Sequence, residues 1–546
     1  MTQPRASLVV IGEVVVEASP DGLRTAEGVG IADGRVVSVG TREDVLDAAA
    51  AGATVIDAGA AAVVPGLHDF HLHLAGMAHA RLEVALDDVV TFQDLIARVR
   101  HAAERLPNDA WLRGRGWVEA AIDHGALTRL ERAVDGRPAL LYSHDGHSAW
   151  ASAAALRLAG VDAHTTPDPG GGRIERDAAG GMTGVLRERA TDMIEPVAGR
   201  TDPAQLSRAL DETVAELLGW GITGATDAGD SSPENGIGAY AAIGDSGSSL
   251  LDARDRLDGR LRLTVNLPAA AIEAGAELGL RTGSPIAGTS SLRAGWAKAY
   301  ADGALGSRTA ALFEPYSCGD EQQVGILRLE SEDLDRLLAA GRAAGIGLAV
   351  HAIGDRAAAA VLDAIERSPE RGPGVPPHRI EHLQLMRPSD PPRLAALDVT
   401  ASVQPIHAAS DRELVERCWQ PRQADAYPWR ALAASGARLA FGSDAPIESP
   451  NPWHGLFAAV HRRFPGDGTV DWRTEQALDL ASALGGYTLG PARSLGMPDE
   501  GHLRPGARAD LAVLSNDLAT LLSADERVAA ARAVITLVGG HEVQRS

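Results

Sequence analysis

VVPGLHDFHLH, residues 63–73, joins a short apolar run to two histidines that stand two positions apart. The run predicts a buried strand at 62–67 that leads into the HDFHLH segment. Side chains two positions apart lie on the same face of an extended chain, so His71 and His73 are expected to point the same way. Two imidazoles on one face can bind one metal ion. This stretch therefore predicts a strand that leads into a metal site.

Further short apolar segments follow, and they alternate with Ala-, Leu- and Arg-rich stretches typical of helices. This alternation indicates βα units around a parallel sheet. Eight segments qualify, and eight is the strand number of a closed (β/α)8 barrel. The predicted barrel strands are 62–67 (AVVPGL), 221–226 (GITGAT), 261–266 (LRLTVN), 295–300 (GWAKAY), 346–351 (IGLAVH), 378–382 (HRIEH), 399–404 (VTASVQ) and 438–443 (RLAFGS).

We expect this α/β barrel to span residues 62–485 and to carry a large insertion after its first strand. Most neighbouring strands are separated by enough residues for one helix and two loops, but the first gap is several times longer. Residues 75–220 are therefore expected to form an inserted subdomain at the barrel mouth, where they contribute to the substrate pocket.

The two ends of the chain are both rich in strand-like segments. These segments are 7–17 and 28–40 at the N-terminal end and 510–514 and 533–545 at the C-terminal end. Asp33-Gly34 and Gly539-Gly540 are typical of hairpin turns because they tolerate positive φ. We therefore expect residues 1–61 and 486–546 to form one β-sandwich domain together.

The composition is that of a globular protein, with 45% hydrophobic and 23% charged residues. The 51 Lys and Arg against 73 Asp and Glu give a net charge of −22, which repels nucleic-acid backbones and anionic membranes. No apolar run approaches the ~18 residues of a membrane span. Cys318 and Cys418 are too few for a disulfide framework, and we expect both to be small buried hydrophobic residues in a reducing compartment. The sequence thus predicts a cytoplasmic protein with neither nucleic acid nor membrane as a partner.

Other residues that can bind a metal stand at the ends of later predicted strands. They are Lys298 in the fourth strand, His351 and His382 at the ends of the fifth and sixth, and Asp444 at the end of the eighth. The βα loops of such a barrel converge at these strand ends. A lone strand histidine is more often a hydrogen-bonded core residue than a ligand, but here the whole set occurs at strand ends of one fold. Imidazole and carboxylate ligands favour zinc or a neighbouring first-row metal.

With these residues in view, the chain resembles the amidohydrolase superfamily of metal-dependent hydrolases. The likeness is to the amidohydrolase family 3 branch of long proteins related to N-substituted formamide deformylase. It is carried by the segments VVPGLHDFHLH, GITGATDAG, WAKAYADGALGSRTAALFEPY, VHAIGDRA, HRIEHLQLM, SVQPIHAASD, FGSDAPIESPNPW, YTLGPARSLG and HLRPGARADLAVL. The resemblance implies a (β/α)8 TIM-like barrel with a β-sandwich built from both termini.

The resemblance also implies a ligand set for one or two divalent ions, most often zinc. It assigns His71, His73 and Asp444 to one ion and His351 and His382 to a second. Lys298 falls where many members carry a carboxylated lysine, a CO2-derived carbamate, that bridges the two ions. A protonated lysine beside divalent cations would be repelled, which favours the carbamate. The alternatives are an unmodified Lys298 beside a single ion, or a pairing of Lys298 with Asp302.

Several residues are candidates for contacting the substrate. In the insertion, SHDGHSAW places Asp145, His147 and Trp150 together, and His147 is a candidate oxyanion donor. The alternative is that Asp145 and His147 cap a turn while Trp150 packs beneath it. Further candidates for the pocket wall are Trp117, Arg308, Gln404 and His407.

These features predict a metal-dependent hydrolase that cleaves a C–N bond of a small-molecule amide, N-formyl compound or cyclic amide. Metal-activated hydroxide would attack the carbonyl, Asp444 would act as general base and then acid, and His382 or the second ion would polarise the carbonyl. The same hydroxide would equally serve a deaminase or an ester, carbamate or phosphotriester hydrolase. A catalytically silent binding or regulatory protein on the same fold is the alternative outside enzymes. Related barrels often dimerise, so a homodimer is possible.

Overall fold

The computed structural model describes residues 4–89, 91–107, 110–118, 126–144, 146–162, 165–177, 179–198, 201–229, 257–286, 289, 291–319, 322–468 and 471–546. In chain order its strands are β1 (Ala6–Ser19), β2 (Gly22–Ala32), β3 (Arg35–Gly40), β4 (Ala49–Pro65), β5 (Leu67–Leu72), β6 (Val84–Ala85), β7 (Leu112–Trp117), β8 (Ala139–Ser143), β9 (Ser148–Ala151), β10 (Gly172–Arg176), β11 (Met182–Glu188), β12 (Ile222–Asp227), β13 (Arg262–Pro268), β14 (Leu292–Tyr300), β15 (Leu348–Ala352), β16 (Arg379–His382), β17 (Thr400–Val403), β18 (Arg438–Phe441), β19 (Leu511–Asp517), β20 (Ala533–Val538) and β21 (His541–Arg545).

The α-helices lie between these strands in the chain. They are Arg42–Asp47, Leu74–Ala80, Phe92–Ala103, Ala126–Ala133, Ala153–Leu158, Pro203–Gly219, Ile272–Glu277, Ser331–Ala344, Asp355–Arg367, Pro391–Ala396, Pro405–Ser410, Arg412–Cys418, Trp429–Ala434, Pro452–His461, Leu480–Gly486, Leu489–Ser494 and Leu518–Ser523.

The central sheet has eight parallel strands in the order β18-β17-β16-β15-β14-β13-β12-β5. It curls until its last strand meets its first, where the N–H of Asp444 donates to the carbonyl of His71 at 2.6 Å. Seven of the predicted strands agree with the observed ones to within a few residues. The predicted strand 62–67 is wrong in position, because residues up to Pro65 complete β4 and the first barrel strand begins at Leu67. The predicted α/β barrel is otherwise confirmed.

Both termini contribute to a second sheet of seven strands in the order β21-β20-β19-β4-β1-β2-β3. The long strand β4 pairs parallel to β1 and antiparallel to β19, so it joins the N-terminal strands to the C-terminal ones. The predicted hairpins occur at Asp33-Gly34 and Gly539-Gly540, and all four residues have positive φ. The expectation that the two ends fold together is confirmed.

The insertion after the first barrel strand has its own sheet, in the order β10-β11-β9-β8-β7-β6. Strands β6, β7 and β8 are parallel, and β9, β11 and β10 continue the sheet antiparallel. Trp117 and Trp150 lie in its hydrophobic core, 2% and 0% exposed. The insertion is therefore a folded unit, and its large apolar side chains pack in its own hydrophobic core.

The two cysteines form a disulfide, Cys318–Cys418, which corrects the expectation that they are separate buried residues. It joins the long loop after β14 to the end of helix Arg412–Cys418. Because disulfides are rare in reducing compartments, the cysteine content does not support a cytoplasmic location. Among the residues that the structure describes, no helix is long and apolar enough to cross a membrane.

Candidate metal centre

Three potential metal ligands meet at the carboxyl ends of the barrel strands. One ligand atom from each of His71, His382 and Asp444 lies within 4.8 Å of the others, and all three residues are buried. His71 is in β5, His382 ends β16, and Asp444 follows β18 in the left-handed region at φ 61°. The strand ends thus bring together residues that are up to 373 positions apart. The sequence predicted His71 and Asp444 with His73 at one ion and His382 with His351 at a second, so this grouping differs from the predicted one.

Each of the two imidazoles in this group is held by its Nδ1 atom. Nδ1 of His71 lies 2.5 Å from Oε2 of Glu381, and Nδ1 of His382 lies 2.8 Å from Oε1 of Gln404. An acceptor at Nδ1 fixes the proton there and leaves the lone pair on Nε2, the form that binds a metal. Nε2 of His71 is buried and, within the described part of the chain, makes no hydrogen bond of good geometry, although Oδ1 of Asp444 lies 3.2 Å away. The donor set and this unused nitrogen fit a divalent ion such as zinc.

The acceptor of His71, Glu381, belongs to a buried ion pair with Arg379. Arg379 pairs with Glu381, and both side chains are inaccessible to solvent. Nη2 of Arg379 also donates to the carbonyl of Phe70 at 2.6 Å and to Oγ of Ser402 at 3.0 Å. Burial raises the pKa of Glu381, but the charges of Arg379 and His71 outweigh it and hold the pKa well below its usual range. Glu381 is therefore an anionic acceptor for His71.

Asp444 contacts both histidines of the opening motif. Its Oδ1 atom lies 3.2 Å from Nε2 of His71 and 3.2 Å from Nε2 of His73, and its Oδ2 atom lies 3.7 Å from Nε2 of His407. Burial raises the pKa of Asp444, but the surrounding imidazoles outweigh it and hold the pKa well below its usual range. An ionised carboxylate at this position can bind a cation or accept a proton.

His351 and Lys298 extend the cluster to one side. The rings of His351 and His382 are 4.5 Å apart, and Nε2 of His351 lies 3.0 Å from the carbonyl oxygen of Gly303. Burial, together with the charges of His382, His147 and Lys298, holds the pKa of His351 well below its usual range. His351 is thus neutral, as a metal ligand must be. Because the Gly303 carbonyl accepts the hydrogen bond from Nε2, Nδ1 is the nitrogen that keeps a lone pair for a metal.

Lys298 is 4% exposed, and its Nζ atom lies 4.9 Å from the centre of the Tyr300 ring. The oxygens of Asp302 accept hydrogen bonds from the N–H groups of Ala311, Ile353 and Gly354 at 2.8–3.0 Å. Burial raises the pKa of Asp302 to about 7. Asp302 therefore organises the loops around the cluster.

The predicted substrate residues fall into two groups. His147, Gln404 and His407 lie at the cluster: His147 faces His351 with ring centres 5.6 Å apart, and His407 stacks on His382 at 6.0 Å. Gln404 supports His382, which is a different role from the predicted pocket wall.

The other predicted substrate residues do not join this group. Trp117 donates its Nε1–H to the carbonyl of Leu141 inside the insertion, and Trp150 is buried there, so the prediction that they line the pocket is corrected. Arg308 is partly buried in the loop after β14 at φ 56°. Asp145 lies outside the described residues.

Sequence reasoning missed three charged residues of the site: Arg379, Glu381 and Glu188. Arg379 and Glu381 alternate within HRIEH, so they share one face of a short buried strand. Two charged residues on one face of a buried strand could have indicated a paired or functional role, because charged residues are seldom buried without partners. Glu188 gave no such signal, since it ends an ordinary-looking strand of the insertion.

A family model described as the amidohydrolase family matches residues 54–544. The chain belongs to this family. It is 31% identical to "Putative amidohydrolase YtcJ" of Bacillus subtilis, covering 91% of this chain and 92% of that protein. It is 28% identical to N-substituted formamide deformylase of Arthrobacter pascens, with 95% and 94% covered.

Among solved structures, the chain is similar to an uncharacterized metal-dependent hydrolase from Pyrococcus horikoshii. The TM-score is 0.75 at 27% identity, and the match covers 95% of this chain and 99% of the other. This amidohydrolase is accordingly a metal-dependent hydrolase that acts on carbon–nitrogen bonds, which confirms the enzyme class predicted from the sequence.

Proposed function

We propose that this amidohydrolase cleaves the C–N bond of a small-molecule amide, N-formyl compound or cyclic amide. The observation that carries the proposal is the meeting of His71, His382 and Asp444, with Nε2 of each histidine left available by a partner at Nδ1. The similarity to a formamide deformylase over nearly the whole length supports this substrate class.

His71, His382 and Asp444 would hold a divalent ion, which when bound would acidify a water molecule and polarise the substrate carbonyl. Asp444 then accepts the proton of the attacking water on a carboxylate oxygen, and the carbonyl carbon becomes tetrahedral. The same oxygen returns the proton to the leaving nitrogen as the C–N bond breaks. His407 and His73 contact Asp444 and keep its carboxylate in place during this transfer.

The proposed ion is zinc, because two imidazoles and a carboxylate are typical zinc ligands. A second ion would be held by His351 with a carboxylated Lys298. The buried position of Lys298 beside His351 and His382 supports this, since a neutral or anionic group suits that position better than an ammonium. Metal analysis and a carbamate carbon signal after incubation with 13C-bicarbonate test it. One bound ion and no carbamate signal would contradict it.

The test of the function is hydrolysis of a panel of N-formyl, N-acyl and cyclic amides by the protein before and after chelation. We expect chelation to abolish turnover and Zn, Mn or Co to restore it. Asp444→Asn should lower kcat at least ~10²-fold, the range for a general acid–base. Asp363→Asn, at an exposed position, is the matched control. Turnover that is unchanged both by the chelator and by Asp444→Asn would overturn the assignment.

Three alternatives give different outcomes in the same assay. A deaminase would release ammonia, and an ester, carbamate or phosphotriester hydrolase would release an alcohol, whereas an amidase releases an amine and an acid. A silent binding or regulatory protein would bind metal without turning over any member of the panel. The buried group of His71, His382 and Asp444 favours the enzyme.

A further inference from the structure

Glu188 links the insertion to the barrel at the edge of the metal centre. It ends β11, its side chain is 2% exposed, and its φ is 51°. One of its oxygens lies 3.1 Å from Nδ1 of His147, and the other accepts a hydrogen bond from Oγ1 of Thr309 at 2.7 Å. Nη1 of Arg328 lies 3.2 Å away. Glu188 therefore has partners from both units, since Thr309 and Arg328 belong to the loop after β14.

The barrel loop is shaped to receive this carboxylate. A Cβ atom at Gly303 would lie 2.5 Å from Oε1 of Glu188, so only glycine allows the approach. The carbonyl of the same Gly303 lies 3.0 Å from Nε2 of His351. Oγ1 of Thr309 also accepts from the N–H of Ala304 at 3.0 Å. Gly303 thus lies between Glu188 and His351, a predicted metal ligand.

Burial raises the pKa of Glu188, but the charge of His147 and hydrogen bonds from His147 and Thr309 outweigh it, so the pKa lies below its usual value. An anionic acceptor at Nδ1 fixes the tilt of the imidazole. Because His147 is not in the ligand group of His71, His382 and Asp444, its Nε2 can also carry a proton, and the negative charge of Glu188 favours that doubly protonated ring. Nε2 of His147 then lies on the side of the ring away from Glu188, while the ring itself faces His351 at 5.6 Å.

We propose that Glu188 is a positioning residue that orients His147, and that His147 donates an Nε2–H hydrogen bond to the carbonyl oxygen of the substrate as it becomes an oxyanion. No proton leaves His147 in this step. The inference rests on the proposed hydrolysis for the role of His147, whereas the Glu188–His147 contact is independent of it. A preorganised donor of this kind acts on developing negative charge, so it affects kcat more than KM.

The first test compares His147→Gln, Glu188→Gln and the double variant on the fastest substrate of the panel. We expect His147→Gln to lower kcat about 10²–10³-fold, the loss for one oxyanion donor. Glu188→Gln should lower kcat at least tenfold, with KM within about twofold and zinc content unchanged. If Glu188 acts through His147, the double variant is no slower than His147→Gln. Additive losses, or a parental kcat in Glu188→Gln, overturn the proposal.

Glu175→Gln is the matched control, because Glu175 pairs with Arg187 at 2.6 Å within the same insertion sheet. It should keep parental kcat. A second measurement uses protein labelled with 15N in the histidine rings, where His147→Gln identifies the His147 signals. We expect Glu188→Gln, but not Glu175→Gln, to shift the His147 Nδ1 signal. An unshifted signal overturns the positioning role even if no substrate is found. An inactive parent protein in which the shift is present contradicts only the proposed function.

Discussion

Oε2 of Glu381 lies 2.5 Å from Nδ1 of His71, although 310 positions separate the two residues in the sequence. This contact decides which nitrogen of His71 can bind a metal. Arg379 is buried together with Glu381 because a carboxylate buried without a cation would take up a proton and lose its charge.

Glu381→Gln is expected to weaken metal binding about 10–100-fold, the usual effect of changing the acceptor behind a ligating histidine. Competition with a coloured chelator measures the affinity. Because the single change leaves Arg379 buried without its partner, the variant Arg379→Met with Glu381→Gln is measured in parallel. Glu366→Gln, an exposed position, serves as control. Parental metal affinity in both Glu381 variants would show that His71 does not depend on this acceptor.

Gly442→Ala is expected to disturb the closure of the barrel. A methyl group at this position would lie 2.4 Å from the backbone nitrogen of His71, so β18 and β5 would have to separate. We expect a loss of about 1–3 kcal/mol in the free energy of unfolding and weaker metal binding, because Asp444 follows two residues later. Urea unfolding and chelator competition measure the two effects.

Gly219→Ala is the control for that change. Gly219 ends helix Pro203–Gly219, and outside its own helix turn no atom of the described residues lies within 4 Å of the position of its Cβ atom. The substitution should be neutral or stabilising by up to ~1 kcal/mol. Equal destabilisation by the two alanines would show that the close approach at Gly442 is not what limits substitution.

The Cys318–Cys418 disulfide should be detectable in the native protein as an absence of titratable thiols. It closes a loop of 100 residues, so replacing both cysteines with serine is expected to lower the free energy of unfolding by about 2–4 kcal/mol. A reductant should destabilise the parent protein and leave the double variant unchanged. Two free thiols in unreduced native protein would contradict the pairing.

The ion pairs of His144 with two carboxylates predict that the free energy of unfolding depends on pH. Its Nδ1 and Nε2 atoms each lie 3.5 Å from a carboxylate oxygen, of Asp87 and Glu448 respectively. Hydrogen bonds to these carboxylates, Asp87 first, raise the pKa of His144 to about 10. Because the pKa of His144 is raised on folding, its ion pairs contribute fully to the free energy of unfolding below the unfolded pKa of ~6.5. This contribution declines at higher pH and is lost as the pH passes 10.

His144→Gln should therefore lower the urea midpoint most at pH 6 and progressively less toward pH 10. The effect should not exceed ~1 kcal/mol, because the imidazole is 36% exposed and solvent screens the pair. His541→Gln, at an exposed position in β21, is the control and should show no such trend. A loss that grows between pH 6 and 10 would contradict the assigned pairs.

The strands, and the placement of candidate ligands at their ends, were predictable because both depend on local pattern. Apolar segments between helical stretches marked the barrel strands, and polar residues that directly follow such segments had to meet at one end of the barrel. The first strand was misplaced because Val63 and Val64 are more apolar than the LHDFHL segment after Gly66 that forms β5. Only pairing with β1 and β19 reveals that they belong to the terminal sheet.

The partners of those ligands could not be predicted in the same way. Glu381 behind His71, Gln404 behind His382, Glu188 behind His147 and the disulfide each join residues from different segments of the chain. A local pattern reports that a side chain is buried, but not which distant group satisfies it. The sequence by itself determined the barrel, its family and the presence of candidate metal ligands at the strand ends. Tertiary structure alone decided how each ligand is held, because hydrogen bonds between distant segments exist only once the chain has folded.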